Sequence, residues 1–215
     1  MRVLVTAGPT REALDPVRYL SNRSSGKMGY ALADAFARAG HQVLLVSGPS
    51  VLEVPEGVDF LPVETGLEMF EAVKRHLGRM DAALFAAAVA DYRAAEISDR
   101  KIKKDGETLK LELVRNPDIL GSARASFGFT GTLVGFAAET ENLEHNAREK
   151  LRRKGCDLVI ANDVSKPGIG FDSDRNEVLL VFPEHSEAMP EDEKHHLAPK
   201  IVREIERLAA ERATH

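Results

Sequence analysis

Residues 2–6 read RVLVT, residues 27–39 read KMGYALADAFARA, and residues 43–47 read VLLVS. These segments decide the fold. RVLVT is a short β-branched run of the kind that forms a buried strand. In the second segment Met28, Ala31, Leu32, Ala35, Phe36 and Ala39 recur at spacings of three and four, which makes one apolar helix face. Gly40 stops that helix, and Gly48–Pro49 ends the strand Val43–Ser47. The unit is therefore strand, long polar loop, helix, strand.

The same alternation continues outward. Phe60–Val63 is read as a short strand and Gly66–Leu77 as a helix with Met69, Phe70, Val73 and Leu77 inward. Ala82–Ala87 (AALFAA) fits helix or strand by period alone; its shortness and its place after a helix favour strand. Residues 91–108 are polar and aperiodic, and Leu109–Val114 (LKLELV) alternates strictly, as a strand with one exposed face does. Pro117–Ser126 reads as a short helix with proline in its first turn. Strand Leu133–Phe136, helix Asn142–Lys154, and strands Leu158–Ala161 and Val178–Phe182 follow. Pro183–Glu193 reads as a charged linker, and a closing helix covers about 196–212. The pattern predicts an α/β fold: a mostly parallel sheet with helices on both faces and a small antiparallel flap at about 92–116. The 215 residues suit one medium domain, or at most two small ones, and the pattern is read as one domain over 1–215. In such sheets ligands bind at the carboxyl ends of the strands, which directs attention to the loops after Thr6, Ser47, Ala87, Phe136 and Ala161.

Composition narrows the function. Lys and Arg number 29 against 34 Asp and Glu, a net charge of −5, whereas a duplex-binding protein usually carries a basic excess. Nucleic acid is therefore not expected as a partner. The single cysteine, Cys156, can form neither an internal disulfide nor a cysteine-rich zinc site, and reads as a small core residue. The longest apolar run, Ala82–Ala90, falls well short of the roughly 20 residues of a membrane span. No signal-peptide pattern precedes RVLVT. The expectation is a cytoplasmic protein with no membrane partner.

The loops carry the chemistry. A dinucleotide fingerprint G-x-G-x-x-G is missing after the first strand, where only Gly8 stands; strand Val43–Ser47 ends without an acid, and no tyrosine has a lysine four residues on. A nicotinamide-dependent oxidoreductase, the first alternative function, fails all three tests. Ser24–Gly29 (SSGKMG) is no P-loop, since Ser21 and Met28 stand where glycine and Ser/Thr are required. It reads either as a serine-capped helix start or as backbone N–H groups facing an anion. Arg18 either pairs with Asp15 or serves a ligand, and Asn22 either makes a turn or does the same; a loop this long is uncommon unless functional. Ala86–Ala88 lets a flat ligand approach the backbone, and Asp91 stands ready for a ribose, a metal or an amine, or else caps a turn. Lys101–Lys104 (KIKK) is a solvated cluster or a lid bringing positive charge to a polyphosphate. Lys150 and Lys154 share a helix face, solvated or functional. The seven histidines form no ligand pattern, and His185, His195 and His196 read as surface.

Together these segments resemble one family. LVTAGPTRE-x-LDPVRYLSN-x-SSGKMG, AAVADYR, KIKK, L-x-L-x-L-V-x-NPDIL, VGFAAET and FDSDRN are similar, in order over about residues 2–180, to the bacterial phosphopantothenoylcysteine synthetases. The resemblance implies a Rossmann-like sheet with a flap, a working homodimer, and a ligase joining L-cysteine to 4′-phosphopantothenate in coenzyme A biosynthesis. It implies CTP as cosubstrate and Mg²⁺, with an acyl-cytidylate intermediate and release of pyrophosphate and CMP. It assigns Asn22 to orienting the acyl-cytidylate, Arg18 to holding phosphopantothenate, and Lys101 to closing the flap over the nucleotide. It assigns Phe85, Ala86, Ala87, Asp91, Pro117, Asp118, Ile119, Leu120, Phe136, Lys150 and Lys154 to the nucleotide, and leaves the metal ligands unassigned. Arg23 stands where relatives often carry His, and the stretch between KIKK and NPDIL is short. In many bacteria such a unit follows a flavin-dependent decarboxylase half, a possible partner domain. A non-catalytic nucleotide sensor, the other alternative, would keep the strand-end pocket but lose Asn22 or Lys101, and both are present.

Overall fold

The computed structural model describes residues 1–104, 106–166, 170 and 173–213. An eight-stranded sheet forms the centre. Its first strand, β1 (Arg2–Ala7), is followed by a small hairpin, β2 (Arg11–Ala13) and β3 (Tyr19–Ser21), then by helix α1 (Lys27–Arg38). Strands β4 (Gln42–Ser47) and β5 (Val58–Pro62) precede α2 (Gly66–His76), which a 3-10 turn, Leu77–Arg79, extends. Next come β6 (Ala82–Phe85), the flap strands β7 (Tyr92–Ala94) and β8 (Leu113–Arg115), and α3 (Ile119–Ala125). Then β9 (Thr132–Glu139), α4 (Leu143–Lys154), β10 (Leu158–Asp163), β11 (Arg175–Val181), β12 (Ser186–Glu193) and α5 (Lys194–Ala213) complete the chain.

The strand order is β12-β11-β10-β9-β6-β1-β4-β5. The six strands from β10 to β5 run parallel, while β11 and β12 add antiparallel to one edge. From β1 the chain winds outward through β4 and β5, then returns to β6 on the other side of β1. The sheet therefore has its topological switch point between β1 and β6, where a crevice opens at the strand ends. Successive β1 side chains feed two cores: Val3 and Val5 pack with α1 and α5, Leu4 with α2 and α3. The neighbouring strand does the same, with Leu84 on the first side and Phe85 on the second. All are buried, which is why RVLVT and AALF show no polar alternation. Each such leucine or valine contributes about 1.5–3 kcal/mol of transfer free energy.

Local signals set the helix ends. Thr65 and Glu68 form a reciprocal capping box at α2, and Glu12 from β2 also accepts the Gly66 N–H at 2.9 Å. Asp118 caps α3 by accepting the Gly121 N–H at 2.9 Å. Pro117 therefore precedes the cap and does not lie in the first helical turn.

Three further readings change. The charged stretch taken as a linker contains β12, an edge strand paired with β11. Its acids and Pro190 are tolerated because an edge strand need not bury both faces or pair both sides, and the register shifts between Asn176 and Val178 opposite that proline. In the flap only Leu113–Arg115 pairs, against Tyr92–Ala94, so the alternation from Leu109 overstates the strand. The loop after β1 holds the β2–β3 hairpin, which three-residue strands make invisible to periodicity. The two small antiparallel sheets stand beside the parallel sheet.

Candidate functional site

Two adjoining cavities occupy the switch point. The larger, of about 950 Å³, is lined by Phe85, Ala87, Asp91, the segment Pro117–Ser122, Phe136, Lys150 and Lys154, among others. The smaller, of about 330 Å³, is lined by Asn22, Ser24–Gly29, Ala86–Val89, Lys150, Asn176 and Lys194, among others. Ala87, Val89, Asp91, Phe136 and Lys150 line both, so the two spaces meet at these residues.

The shared wall is the alanine turn after β6, and its position is set by backbone hydrogen bonds. Ala86 N–H donates to Thr6 O at 3.2 Å, and Ala88 N–H to Gly8 O at 2.9 Å. Thr10 N–H donates to Ala88 O at 3.2 Å, and the buried Thr10 hydroxyl accepts the Ala90 N–H at 3.0 Å. Asn22 Nδ2 donates to Ala88 O at 2.8 Å, and Asn116 Nδ2 to Ala90 O at 2.8 Å. With these polar groups bonded and the side chains small, the turn allows a ligand to approach closely. Beside it, backbone meets backbone: a Cβ on Gly48 would lie 1.9 Å from the Pro9 oxygen, and Gly8 has a positive φ of 72°.

Helix α1 begins at the smaller cavity. Its N-cap is Gly26, in the left-handed region at φ 81°, so no serine side chain caps it as the sequence allowed. A Cβ on Gly29 would lie 2.5 Å from Ala7 Cβ, so glycine there lets the helix start sit directly over β1. Lys27 pairs with Asp174 at 2.7 Å.

The cations of the larger cavity are held in place. Lys150 Nζ donates to Phe136 O at 2.5 Å. Burial pushes its pKa below the ordinary lysine value, Glu139 opposes this, and nearby Lys154 and Arg153 add to it. Lys154 pairs with Asp118. Burial alone would raise the Asp118 pKa, but the bonds from Lys154 and Gly121 N–H hold it below the usual carboxylate range. Neither lysine lies on a plain solvated face. Arg115 and Arg153 add positive charge to the lining.

The expected residues therefore divide. Phe85, Ala87, Asp91, Pro117, Asp118, Ile119, Leu120, Phe136, Lys150 and Lys154 meet at the larger cavity, Ala86 and Asn22 at the smaller. Arg18 and Lys101 line neither. Arg18 pairs with Asp15 at 2.6 Å and donates to Ile102 O at 2.6 Å, beside exposed Lys101. In the FDSDRN motif, Phe171 and Asp172 lie outside the described residues; Asn176 is buried at the smaller cavity. Asn116, Thr10, Asn176 and Lys194 were not singled out from sequence. Their signal was a polar residue inside a motif or near a strand end, which only burial distinguishes from a surface residue. Cys156 is buried, and burial pushes its thiol up to about 12, so it is no nucleophile. His185, His195 and His196 are exposed.

No group of three or more His, Cys, Asp or Glu among the described residues is arranged to hold a metal. Asp91 lines both cavities with no ion pair among the described residues. One carboxylate suits a magnesium ion that arrives on substrate phosphates and keeps most of its waters. No helix among the described residues is long and apolar enough to cross a membrane.

Residues 1–208 match the family model of the DNA/pantothenate metabolism flavoprotein C-terminal domain. The chain belongs to this family. It is 49% identical over 203 residues to the coenzyme A biosynthesis bifunctional protein CoaBC of Vibrio cholerae serotype O1, covering 94% of this chain and 51% of that protein. The CoaBC of Escherichia coli strain K12 is 47% identical over 208 residues, covering 95% of this chain and 51% of that protein. The chain thus spans about half the length of these curated relatives. A crystal structure of the C-terminal domain of CoaBC superposes with a TM-score of 0.84 at 37% identity, covering 98% of this chain and 96% of that one. The mostly parallel sheet with flanking helices is thus the fold of that domain.

Proposed function

We propose that this chain is a phosphopantothenate–cysteine ligase that uses CTP, working in the cytoplasm as one domain over 1–215. The observation that carries the reading is the meeting of two cavities at Ala87, Asp91, Phe136 and Lys150. One is lined by cations and a backbone-rich wall suited to a nucleotide; the other, by Asn22 and a helix start suited to an acidic acyl substrate. A reaction between a nucleotide phosphate and a carboxylate belongs where they join.

In the first step a carboxylate oxygen of 4′-phosphopantothenate attacks the α-phosphorus of CTP, and pyrophosphate leaves. In the second the L-cysteine amine attacks the acyl carbon, CMP leaves with the electron pair of the broken C–O bond, and the amine proton passes to solvent. Neither step needs an enzyme nucleophile. Lys150, Lys154 and Lys101 offset the charge that develops on the phosphates. Asn22, anchored on Ala88 O, orients the acyl-nucleotide for amine attack. Ala86, Pro117, Asp118, Ile119 and Leu120 complete the nucleotide contacts. Arg18 is assigned to 4′-phosphopantothenate through Nη1, the guanidinium nitrogen with no partner among the described residues. Asp91 would hold Mg²⁺, which when bound offsets triphosphate charge. A homodimer, and a flavin-dependent phosphopantothenoylcysteine decarboxylase domain joined to this unit, are the partners proposed.

The test is pyrophosphate release with 4′-phosphopantothenate, Mg²⁺ and either CTP or ATP, with and without L-cysteine. Release with CTP, and CMP plus amide only when cysteine is added, is the expected result. Absence of release with either nucleotide would overturn the reading.

A further inference from the structure

Asp15 lies at the tip of the β2–β3 hairpin, and its side chain is completely buried. Its carboxylate accepts five N–H groups. Oδ1 takes Val17 N–H at 2.8 Å and Arg18 N–H at 2.9 Å. Oδ2 takes Arg18 Nε at 3.0 Å, Arg18 Nη2 at 2.6 Å, and Ile102 N–H at 3.0 Å from across the flap. Arg18 Nη2 then donates to Ile102 O at 2.6 Å. Both backbone groups of Ile102 are thereby gripped by one ion pair whose carboxylate is buried. Elsewhere the flap strands hold mainly to each other, through three residue pairs, Ala95 N–H to Glu112 O at 2.9 Å and Arg93 Nη1 to Arg115 O at 2.6 Å, while toward the β2–β3 hairpin Ser98 N–H reaches Leu14 O at 3.1 Å. Lys101, Lys103 and Lys104 are exposed around the gripped residue.

A hairpin tip does not need a buried carboxylate with five donors in order to turn; two would close an Asx turn. The remaining three serve Arg18 and Ile102. Fixing Ile102 fixes the α-carbon of Lys101, about 3.8 Å along the chain. We propose that Asp15 is a positioning residue: with Arg18 it clasps the flap at Ile102 and so sets where Lys101 stands. The inference rests on the reading of Lys101 as the flap lysine. Support comes from the Asp15 acidity: burial would raise its pKa, but the Ile102, Val17 and Arg18 bonds bring it down to about 2, so the clasp is charged throughout the working pH range.

The experiment compares limited trypsin digestion of the wild-type protein with Arg18→Gln and Asp15→Asn, following cleavage after Lys101, Lys103 and Lys104 by mass. Cleavage there at least about tenfold faster in the variants, and faster than at the lysines and arginines elsewhere in the same chains, is expected. Should Asp15→Asn not fold, the half-exposed Arg18 still carries the test. Pyrophosphate release without cysteine should fall in Asp15→Asn with an unchanged KM for 4′-phosphopantothenate. In an Asp15→Asn/Lys101→Gln double variant it should fall no further than in Lys101→Gln alone. Unaltered cleavage, or additive losses in the double variant, would overturn the clasp. Faster cleavage with a wild-type protein that releases no pyrophosphate would retain the clasp and reject the ligase reading.

Discussion

The alanine turn and the flap strands both border the larger cavity and are held in opposite ways. The turn, Ala86–Ala90, is bonded to the β1 loop by a run of backbone N–H and C=O groups, with Asn22 and Asn116 on its carbonyls. The flap meets the β2–β3 hairpin through Ser98 N–H and one charged clasp at Ile102. A surface that must stay flat for a ligand to approach is best fixed by many backbone bonds, since no single side-chain change releases them all. A segment that admits and releases a nucleotide, the role proposed for the flap, is better held by one strong, local contact.

Changes at the turn should separate the two half-reactions most sharply. Asn22→Ala should lower amide formation by roughly 10²-fold or more, the scale of losing one positioned polar group. Pyrophosphate release without cysteine should persist; equal loss in both steps would place Asn22 in the first. A smaller effect is expected at the cationic wall. Lys150→Met should raise the KM for the nucleotide about 10- to 100-fold while leaving the KM for cysteine unchanged, measured by initial rates. Gly48→Ala attacks the frame beneath the turn. Its methyl must displace the Pro9 carbonyl, and urea unfolding should show a loss of about 1–3 kcal/mol. The smallest effect is set by Cys156. With its thiol at about 12, only about one molecule in 10⁴ carries a thiolate at pH 8, so iodoacetamide should leave the native protein unlabelled and label it in urea.

The sequence carried most of the fold because the central strands are buried on both faces. Val3–Val5 reads as a strand by its β-branched residues, Ala82–Leu84 by its shortness and its place after a helix, and α1 and α2 carry clean apolar stripes. Legibility failed where an element lacks that pressure. Ser186–Glu193 pairs on one edge only, so charge and Pro190 hide it. The β2–β3 hairpin has three residues per strand, too few for a period. At the site, residues acting through their type were visible: Lys150 and Lys154 by spacing, Asp91 by its place after the alanines. Residues acting through burial were not. Asp15 was visible as a partner of Arg18, but nothing in the residues showed that Ile102, 87 positions away, shares its carboxylate.

The central claim is that a carboxylate attacks the α-phosphorus at the junction of the two cavities. It is tested most directly by running the complete reaction with 4′-phosphopantothenate labelled with heavy oxygen in its carboxylate, then weighing the products. One heavy oxygen in CMP and none in pyrophosphate is the predicted result. Label in pyrophosphate or inorganic phosphate, or amide formed with CMP unlabelled, would contradict it.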